Sequence, residues 1–319
     1  QLAAVIGPEF DQDVLIKLSN QSAEDTRDSL DQLCELNILS RNAFKDRVYF
    51  TFRHALLREA VYSSLLLTVR EAIHLQVAPL LVSERQSYSA EIIARHFEQG
   101  GDQDRAFPYW LEAGQISLKN GATEEAVILL RKAHSIAQDV EETDERLEDL
   151  ASMYLAYGNA LNSALGVVSE PIKYFKKAEE LAVKLDKTEM VIETLDWQFG
   201  VQFNAGELDA SEEPAQKMKD LWLAADDRKA LASGFQGIGM IHFMRGELEQ
   251  ARNEFEQGLK AAGHFISGEH CFPSMSLSYL AWTYYILGLS KEAASYADRA
   301  ITSARKESSH ALATALSNC

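Results

Sequence analysis

With 319 residues, 46% of them hydrophobic, the chain is long enough for two domains or one extended helical array. It has 48 acidic and 31 basic residues and a formal net charge of -17, which repels phosphate backbones and anionic lipids, so we expect no direct binding of nucleic acid or of a membrane. The three cysteines have neither metal nor disulfide spacing, and no apolar run approaches the roughly 18 residues of a membrane helix, so a reducing, cytoplasmic setting is expected.

The first fifty residues predict a small domain. A short helix is expected over residues 11–18, and Ser22 is placed to cap a second helix, with Asp25 three residues further on. Two short strands, residues 38–40 and 48–52, enclose a polar turn, and this helix, helix, hairpin order is typical of a winged helix. Five carboxylates lie on the outer face of the second helix, at Glu24, Asp25, Asp28, Asp31 and Glu35. They would oppose the phosphates of a DNA groove, so this domain is not expected to bind DNA.

The chain is organised around residues 49–67, which read YFTFRHALLREAVYSSLLL. Strand-like residues give way near His54 to an amphipathic helix over 55–67, and a further helix over 68–82 contains Pro79 in its last turns. The apolar residues of the first helix are expected to pack into a core. They are Leu56, Leu57, Ala60, Val61, Leu65 and Leu66.

Three segments of the chain share a family resemblance. They are FTFRHALLREAVYSSLL (50–66), VREAIHLQVAPLL (69–81) and SAEIIARHFEQGGDQDRAFPYWLEAG (89–114). They resemble bacterial signal-transduction ATPases of the STAND class, in which a P-loop ATPase module is followed by a winged helix and a tetratricopeptide-like superhelix. Similar segments follow the ATPase module in LuxR-type transcription activators and in multidomain class III adenylate cyclases. Because the chain starts at Gln1 rather than Met and ends at Cys319 inside a helical pattern, we expect a fragment of a longer protein.

The resemblance implies an all-α fold, with a winged-helix-like domain over residues 1–86 and a right-handed tetratricopeptide-like α-α superhelix over 87–319. It also implies that His54, together with Arg53, senses a bound nucleotide. Many winged helices of the STAND class have a Met-His-Asp motif whose histidine contacts the β-phosphate of ADP, and His54 occupies the matching strand-to-helix junction. Arg53 and Ala55 depart from that motif. A histidine beside the free N–H groups of a helix N-terminus is in a setting that attracts phosphate, and the alternative is that His54 only caps or packs at the junction.

From about residue 104 the chain repeats a unit of two helices joined by a turn. The expected turn glycines, spaced 45, 40, 40 and 42 residues apart, are Gly121, Gly166, Gly206, Gly246 and Gly288. Mostly small residues recur at three offsets from each glycine: seven residues before it, five residues after it and twelve residues after it. Small side chains at these positions are expected where two helices cross closely. The unit at 280–301, LAWTYYILGLSKEAASYADRAI, best matches a tetratricopeptide repeat, the unit at 199–218 matches least well, and the last repeat is truncated.

The first helices of such repeats line a concave face, which is the usual binding surface. We expect a protein, a peptide or a small inducer as the partner there, with packing in the core as the alternative role for the aromatic members. The candidate residues are Tyr154, Tyr157, Asn162, Trp197, Gln198, Gln202, Asn204, His242, Arg245, Tyr279, Trp282 and Tyr285.

Motifs of catalysis are missing from the sequence. There is no GxxxxGK[ST] loop, GxSxG elbow, HExxH helix or CxxC pair, so no catalytic residue, resident metal or cofactor is expected, and ADP or ATP would bind in a neighbouring module. His74 and His96 fall on predicted helices and are interpreted as packed or capping residues. Taken with the resemblance to the STAND class, this absence implies a non-enzymatic regulatory fragment that would hold an adjacent ATPase inactive and sense an inducer. Two alternatives stay open: an interaction scaffold without nucleotide coupling, and the regulatory arm of a nucleotide cyclase.

Overall fold

The computed structural model describes residues 1–44, 47–138, 144–166, 168–225, 228–262, 273–307, 312–313 and 315–316. The chain divides into two compact units, Gln1–Glu142 and Thr143–Cys319, and the predicted boundary between residues 86 and 87 falls inside the first of them. The described residues are mostly helical, as the sequence predicted, and the first unit also contains a small antiparallel sheet.

The first unit begins with short helices around a three-stranded sheet. In chain order the elements are α1 (Leu2–Ile6), β1 (Glu9–Asp11), α2 (Gln12–Leu18), α3 (Ala23–Glu35), β2 (Leu39–Phe44) and β3 (Arg47–Phe52). The sheet order is β1-β3-β2, with both pairs antiparallel. The predicted hairpin is present with longer strands, whereas α1 and β1 were not predicted. Strand β1 is only three residues long, and it exists because Phe10 pairs with Phe50 of β3 rather than through any local alternation.

Local capping explains where the helices of this sheet domain start. The Ser22 hydroxyl accepts the Asp25 N–H at 3.1 Å at the start of α3, as the sequence predicted. At the start of α2 the Asp11 carboxylate accepts the Asp13 N–H at 2.7 Å. The side chains of Phe10, Leu30, Leu39 and Phe50 are almost fully buried beneath the sheet, and the carboxylates on the outer face of α3 are exposed.

Five further α-helices and a short 3₁₀ helix (Arg85–Ser87) complete the described part of the first unit. The α-helices are α4 (Ala55–Ser63), α5 (Leu67–Ser83), α6 (Ala90–Gln99), α7 (Gln103–Lys119) and α8 (Thr123–Ala137). The predicted packing of Leu56 and Leu66 is wrong, since these side chains are 85% and 74% exposed. The chain bends by 113° after Ser63, so the apolar positions of residues 55–67 do not share one helical face, and Leu65 is buried while α4 has no buried residue.

The second unit consists of helices arranged as hairpins. They are α9 (Asp144–Leu165), α10 (Ile172–Lys184), α11 (Thr188–Asn204), α12 (Leu208–Ala225), α13 (Arg228–Met244), α14 (Leu248–Ala262), α15 (Pro273–Ile286) and α16 (Ser290–Glu307). Each helix packs on its neighbours along the chain. The first helices of successive hairpins also touch: α9 contacts α11, α11 contacts α13, and α13 contacts α15. No comparable contact joins the described parts of α10, α12 and α14, so the first helices lie on the inner side of the stack.

The turns within the hairpins are closed by glycines in the left-handed region. Gly121, Gly166, Gly206, Gly246 and Gly288 have φ between 73° and 81°. At Gly206 the N–H of Glu207 donates to the Gln202 carbonyl at 2.9 Å, which completes the last turn of α11. A Cβ atom at any of the five would meet nothing within 4 Å, so the backbone conformation rather than space requires glycine. Gly101 and Asp186, with φ of 78° and 55°, make equivalent turns that the sequence did not single out.

Where the two helices of a hairpin cross, a small residue on one helix packs against a large residue on the other. A Cβ on Gly239 of α13 would lie 2.7 Å from the Phe255 ring of α14. The positions five and twelve residues after each turn glycine are all buried. In the hairpin of α11 and α12 the large and the small residue are exchanged. Phe199 occupies the first-helix position and Ala215 faces it, while Gly237 of α13 lies against both. This exchange explains why the unit at 199–218 departs from the repeat pattern and still packs.

Candidate functional site

The accessible faces of α9, α11, α13 and α15, here called the inner surface, form the candidate site of the second unit. On α11 the buried side is made by residues such as Leu195 and Phe199, and the opposite side presents a polar stripe. In that stripe Glu193 and Asn204 are exposed and Trp197 is partly buried, where it stacks on Phe175 with ring centroids 5.9 Å apart. This part of the inner surface therefore combines a carboxylate with one edge of an indole.

An aromatic cluster lies on the part of the inner surface formed by α13 and α15. Tyr279 and Trp282 of α15 are partly buried and meet at 5.5 Å between ring centroids. Phe243 of α13, which the sequence reasoning missed, is 5.3 Å from Tyr279 and 6.0 Å from Trp282. It stands three residues before Gly246, and Tyr285 stands three before Gly288, so the repeat register could have revealed it.

Exposed apolar side chains flank this cluster at the carboxyl ends of α13 and α15. Met244 and Ile286 each stand two residues before a turn glycine, and each is 57% exposed. Tyr285 is 70% exposed. Because α13 and α15 contact each other as successive first helices, these side chains extend the cluster along one edge of the inner surface.

Three of the candidate residues are buried and offer no accessible contact in this structure. Tyr157 packs 4.8 Å from the Tyr174 ring. The Gln198 amide donates to the Glu179 carboxylate at 2.8 Å. The Gln202 amide, with its nitrogen facing the helix backbone, donates to the carbonyls of Ala210 and Gln198 at 3.1 and 3.3 Å. They brace the stack from within, whereas Tyr154 and Asn162 on α9 are partly accessible.

Two further candidates contact carboxylates at the turn after α13. The Arg245 guanidinium binds Asp209 at 2.5 Å and Glu212 at 3.0 Å, and the hydrogen bonds to these carboxylates raise its pKa. His242 Nδ1 lies 2.5 Å from the Glu247 carboxylate. Arg245 therefore joins the end of α13 to α12, and His242 Nδ1 already has a carboxylate partner.

In the first unit, His54 and Arg53 sit at the junction of β3 and α4. His54 is exposed at the N-cap position of α4 and makes no side-chain capping hydrogen bond. Arg53 is exposed, and its Nε donates to the Leu39 carbonyl at 3.3 Å. The N–H groups of the first turn of α4 thus receive no side-chain acceptor from His54.

The described residues contain neither a metal-ion cluster nor a single helix that could span a membrane. No group of three or more His, Cys, Asp or Glu side chains is arranged to hold a metal ion in the part of the chain that the structure describes. No single described helix is both long and apolar enough to cross a bilayer, and α4 and α5 satisfy that test only when taken together across their bend of 113°.

Comparison with known proteins places the fold. No family model matches the sequence. An uncharacterised protein of Rhizobium meliloti (strain 1021) is 30% identical over 173 residues, which are 52% of this chain and only 16% of that protein. The apo form of the quorum sensor NprR from B. thuringiensis matches with a TM-score of 0.54 and 15% identity, over 92% of this chain and 80% of that one. The solved neighbours are tetratricopeptide-like helical-repeat proteins.

Two further solved structures belong to the same comparison. BtubC (BKLC) from P. vanneervenii matches with a TM-score of 0.51 and 15% identity, over 78% of this chain and 91% of that one. NprR in complex with its cognate peptide NprX matches with a TM-score of 0.49 and 15% identity, over 82% of this chain and 75% of that one. At 15% identity the likeness to BtubC and to the apo form of NprR shows the tetratricopeptide-like fold alone.

Proposed function

We propose that this chain is a cytoplasmic regulatory scaffold whose second unit binds a peptide segment of a partner along its inner surface. The observation that carries the proposal is the aromatic cluster of Phe243, Tyr279 and Trp282, partly buried and flanked by exposed Met244 and Ile286. Partly buried aromatic side chains bordered by apolar ones are the usual anchors of protein interfaces. The peptide-bound state of the quorum sensor NprR, which shares the fold, supports a peptide as the occupant.

Charge indicates which peptide fits. The chain has a net charge of -17, and Glu193 lies exposed in the stripe of α11 that belongs to the same inner surface. A peptide with one large apolar side chain for the aromatic cluster and basic residues towards α11 complements both features. This partner is a proposal for the fragment, and no catalytic role is proposed for it.

Peptide display tests the proposal. Random peptides are selected on the wild-type chain, and the affinities of the selected peptides are measured by fluorescence polarisation. We expect enrichment of aromatic plus basic sequences, and a loss of about tenfold or more in affinity on Trp282→Ala, as for an interface anchor. Tyr109→Ala is the matched control, because Tyr109 is a partly buried aromatic residue of the first unit that stacks on Phe97. Equal affinity for wild type and Trp282→Ala contradicts the proposal.

We also infer that the first unit contains a winged helix coupled to a nucleotide-binding module of the complete protein. The order of α1, β1, α2, α3 and the β2–β3 hairpin, with the sheet order β1-β3-β2, supports the winged helix. The exposed, uncapped position of His54 at the start of α4 supports a contact with an ADP phosphate, to which Arg53 could add its charge.

Calorimetric titration of ADP into the complete protein tests this coupling. Loss of a charge-assisted hydrogen bond on His54→Ala is expected to weaken ADP binding by about 1.5–3 kcal/mol. His242→Ala, which removes a histidine of the second unit, leaves ADP affinity unchanged. If His54→Ala also leaves it unchanged, the chain is a scaffold without nucleotide coupling. Adenylate cyclase activity of the complete protein that responds to the selected peptides identifies the chain instead as the regulatory arm of a cyclase.

A further inference from the structure

A cleft in the first unit lies apart from the inner surface. It opens between the segment from α1 to β1, the carboxyl end of α5 and helix α6, and its volume is about 430 Å³. This is at the lower end of the range of roughly 300–1,000 Å³ that is usual for small-molecule sites. Its apolar walls are Val5, Ile6, Phe10, Leu81 and Ile92.

One end of the cleft contains an unsatisfied hydroxyl group. The Tyr88 hydroxyl is buried and has no hydrogen-bond partner among the described residues. Burial raises the pKa of Tyr88, and the nearby carboxylates of Asp11 and Glu84 raise it further, so the phenol stays a hydrogen-bond donor. Both oxygens of Asp11 are already used, one by the Asp13 N–H at 2.7 Å and the other by Arg47 at 3.0 Å. A buried donor without an acceptor is uncommon in folded proteins and points to a missing partner.

The other end of the cleft is cationic. Arg58 of α4 and Arg95 of α6 both line it, beside the buried ring of His96. Burial, then the neighbouring His74 and the positive charges of these two arginines, lowers the pKa of His96 to about 3, so this ring contributes no charge of its own. Arg58 uses its Nε for the Ala4 carbonyl at 3.1 Å, and Arg95 is paired with the half-buried carboxylate of Glu91 on the same helix.

The carboxylates that also line the cleft do not cancel this polarity. Asp11 is neutralised by the Arg47 guanidinium. Glu9 is exposed, and its carboxylate accepts a hydrogen bond from the Thr51 hydroxyl at 3.3 Å on the outer side of β1. The cleft is therefore lined by the Arg58 guanidinium, by Arg95, whose charge Glu91 partly balances, by apolar side chains and by the unpartnered Tyr88 hydroxyl.

We propose that this cleft binds a small amphipathic anion. Its carboxylate or similar group lies against Arg58 and Arg95, its apolar body packs between Phe10, Leu81 and Ile92, and an acceptor atom takes the Tyr88 hydroxyl. The site is independent of the inner surface, since every residue that forms it belongs to the first unit. A regulatory scaffold with such a site would respond to a metabolite-sized ligand as well as to a peptide.

A matched pair of fluorescent probes tests the proposal on the full chain. Dansylglycine has an apolar ring system, sulfonyl acceptors and a carboxylate, and its methyl ester replaces the carboxylate by a neutral ester that is one methyl group larger. We expect saturable binding of dansylglycine, and a loss of about tenfold in affinity on Arg95→Gln, the size of a charge-assisted hydrogen bond. Binding of the ester should not change in that variant. Arg105→Gln is the control, because Arg105 is equally exposed and is likewise paired within its own turn, with Asp102, but does not line the cleft.

Two further variants separate the apolar and hydroxyl contributions. Ile92 is 40% exposed, so Ile92→Trp can fill the cleft without disturbing the core, and it should abolish binding of both probes. Tyr88→Phe removes one neutral hydrogen bond, so it should weaken the binding of both probes by about threefold. It should not lower the melting temperature, because the hydroxyl has no partner to lose. The proposal is overturned if no saturable signal appears, if Ile92→Trp binds as wild type does, or if Arg95→Gln weakens acid and ester equally.

Discussion

His74 of α5 and His96 of α6 meet in the interior of the first unit, with their Nδ1 atoms 2.9 Å apart. His96 Nε2 lies 3.1 Å from the Ile6 carbonyl oxygen, which can only accept, so His96 donates there and its Nδ1 must accept from His74. His74 Nε2 then accepts from the Tyr62 hydroxyl at 3.0 Å. The hydrogen bonds run in one direction, from α4 to α1, and they require both imidazoles to be neutral.

This relay predicts that the first unit loses stability in mild acid. Burial, aided by Arg58 and by further arginines near each ring, lowers the pKa of His74 to about 4 and that of His96 to about 3. In the unfolded chain the pKa of both histidines is about 6.5. The unfolded state therefore binds more protons below that pH, so the stabilisation is complete above about pH 6.5 and is lost as the pH falls towards 4. Thermal unfolding followed by circular dichroism between pH 7.5 and 4.5 measures the decline.

A double variant serves as the control for the relay. His74→Leu with His96→Leu removes both titrating groups, so the melting temperature should be lower at pH 7.5, where Tyr62 and Ile6 lose their partners, but less dependent on pH. An identical decline in the double variant would show that other groups cause the acid sensitivity.

The turns and helix crossings of the repeats could be predicted from the sequence, because local rules determine them. Turn glycines and small crossing positions recur at fixed offsets, and the structure places Gly206 and its equivalents in left-handed turns. The pairing of His74 with His96 was out of reach, because it joins rings 22 residues apart on different helices. Strand β1 was missed for the same reason. The burial of Gln198 and Gln202 was also not predictable, since it depends on how far α11 is rotated between its neighbours, and helical periodicity alone leaves that rotation open.

Gly206→Ala is expected to destabilise the second unit by about 1–2 kcal/mol, the cost of a left-handed backbone for a residue with a Cβ. Gly206 has φ of 77° and open space around it, so no steric clash contributes. Gly200→Ala is the matched control: it lies six residues earlier, within α11, with equally open space, and should stabilise by roughly 0.5–1 kcal/mol. Urea unfolding of both variants measures the difference, and equal effects would show that backbone conformation does not matter at the turn.

Asp11→Ala is expected to cost about 2 kcal/mol in the first unit. The buried carboxylate both caps α2 and binds Arg47, so its removal loses a cap and leaves a guanidinium with one fewer partner. Asp11→Asn keeps an oxygen for the cap and should cost about half as much. Asp13→Ala, an exposed neighbour that keeps its N–H, should change stability by less than about 0.5 kcal/mol. Hydrogen–deuterium exchange of α2 amides reports the loss, and equal exchange in Asp11→Ala and Asp13→Ala would refute the assignment.

Gly239→Ala tests the crossing of α13 and α14. The added Cβ would lie 2.7 Å from the Phe255 ring, whose side chain is buried and has no room to retreat, so overpacking is expected to cost about 1–3 kcal/mol. Shortening the ring position with Phe255→Leu is destabilising by itself, but it creates the space that the new methyl group needs. The double variant should therefore be less destabilised than the sum of the two single variants, by at least about 0.5 kcal/mol in urea unfolding. Strict additivity would mean that the two residues do not share the contact.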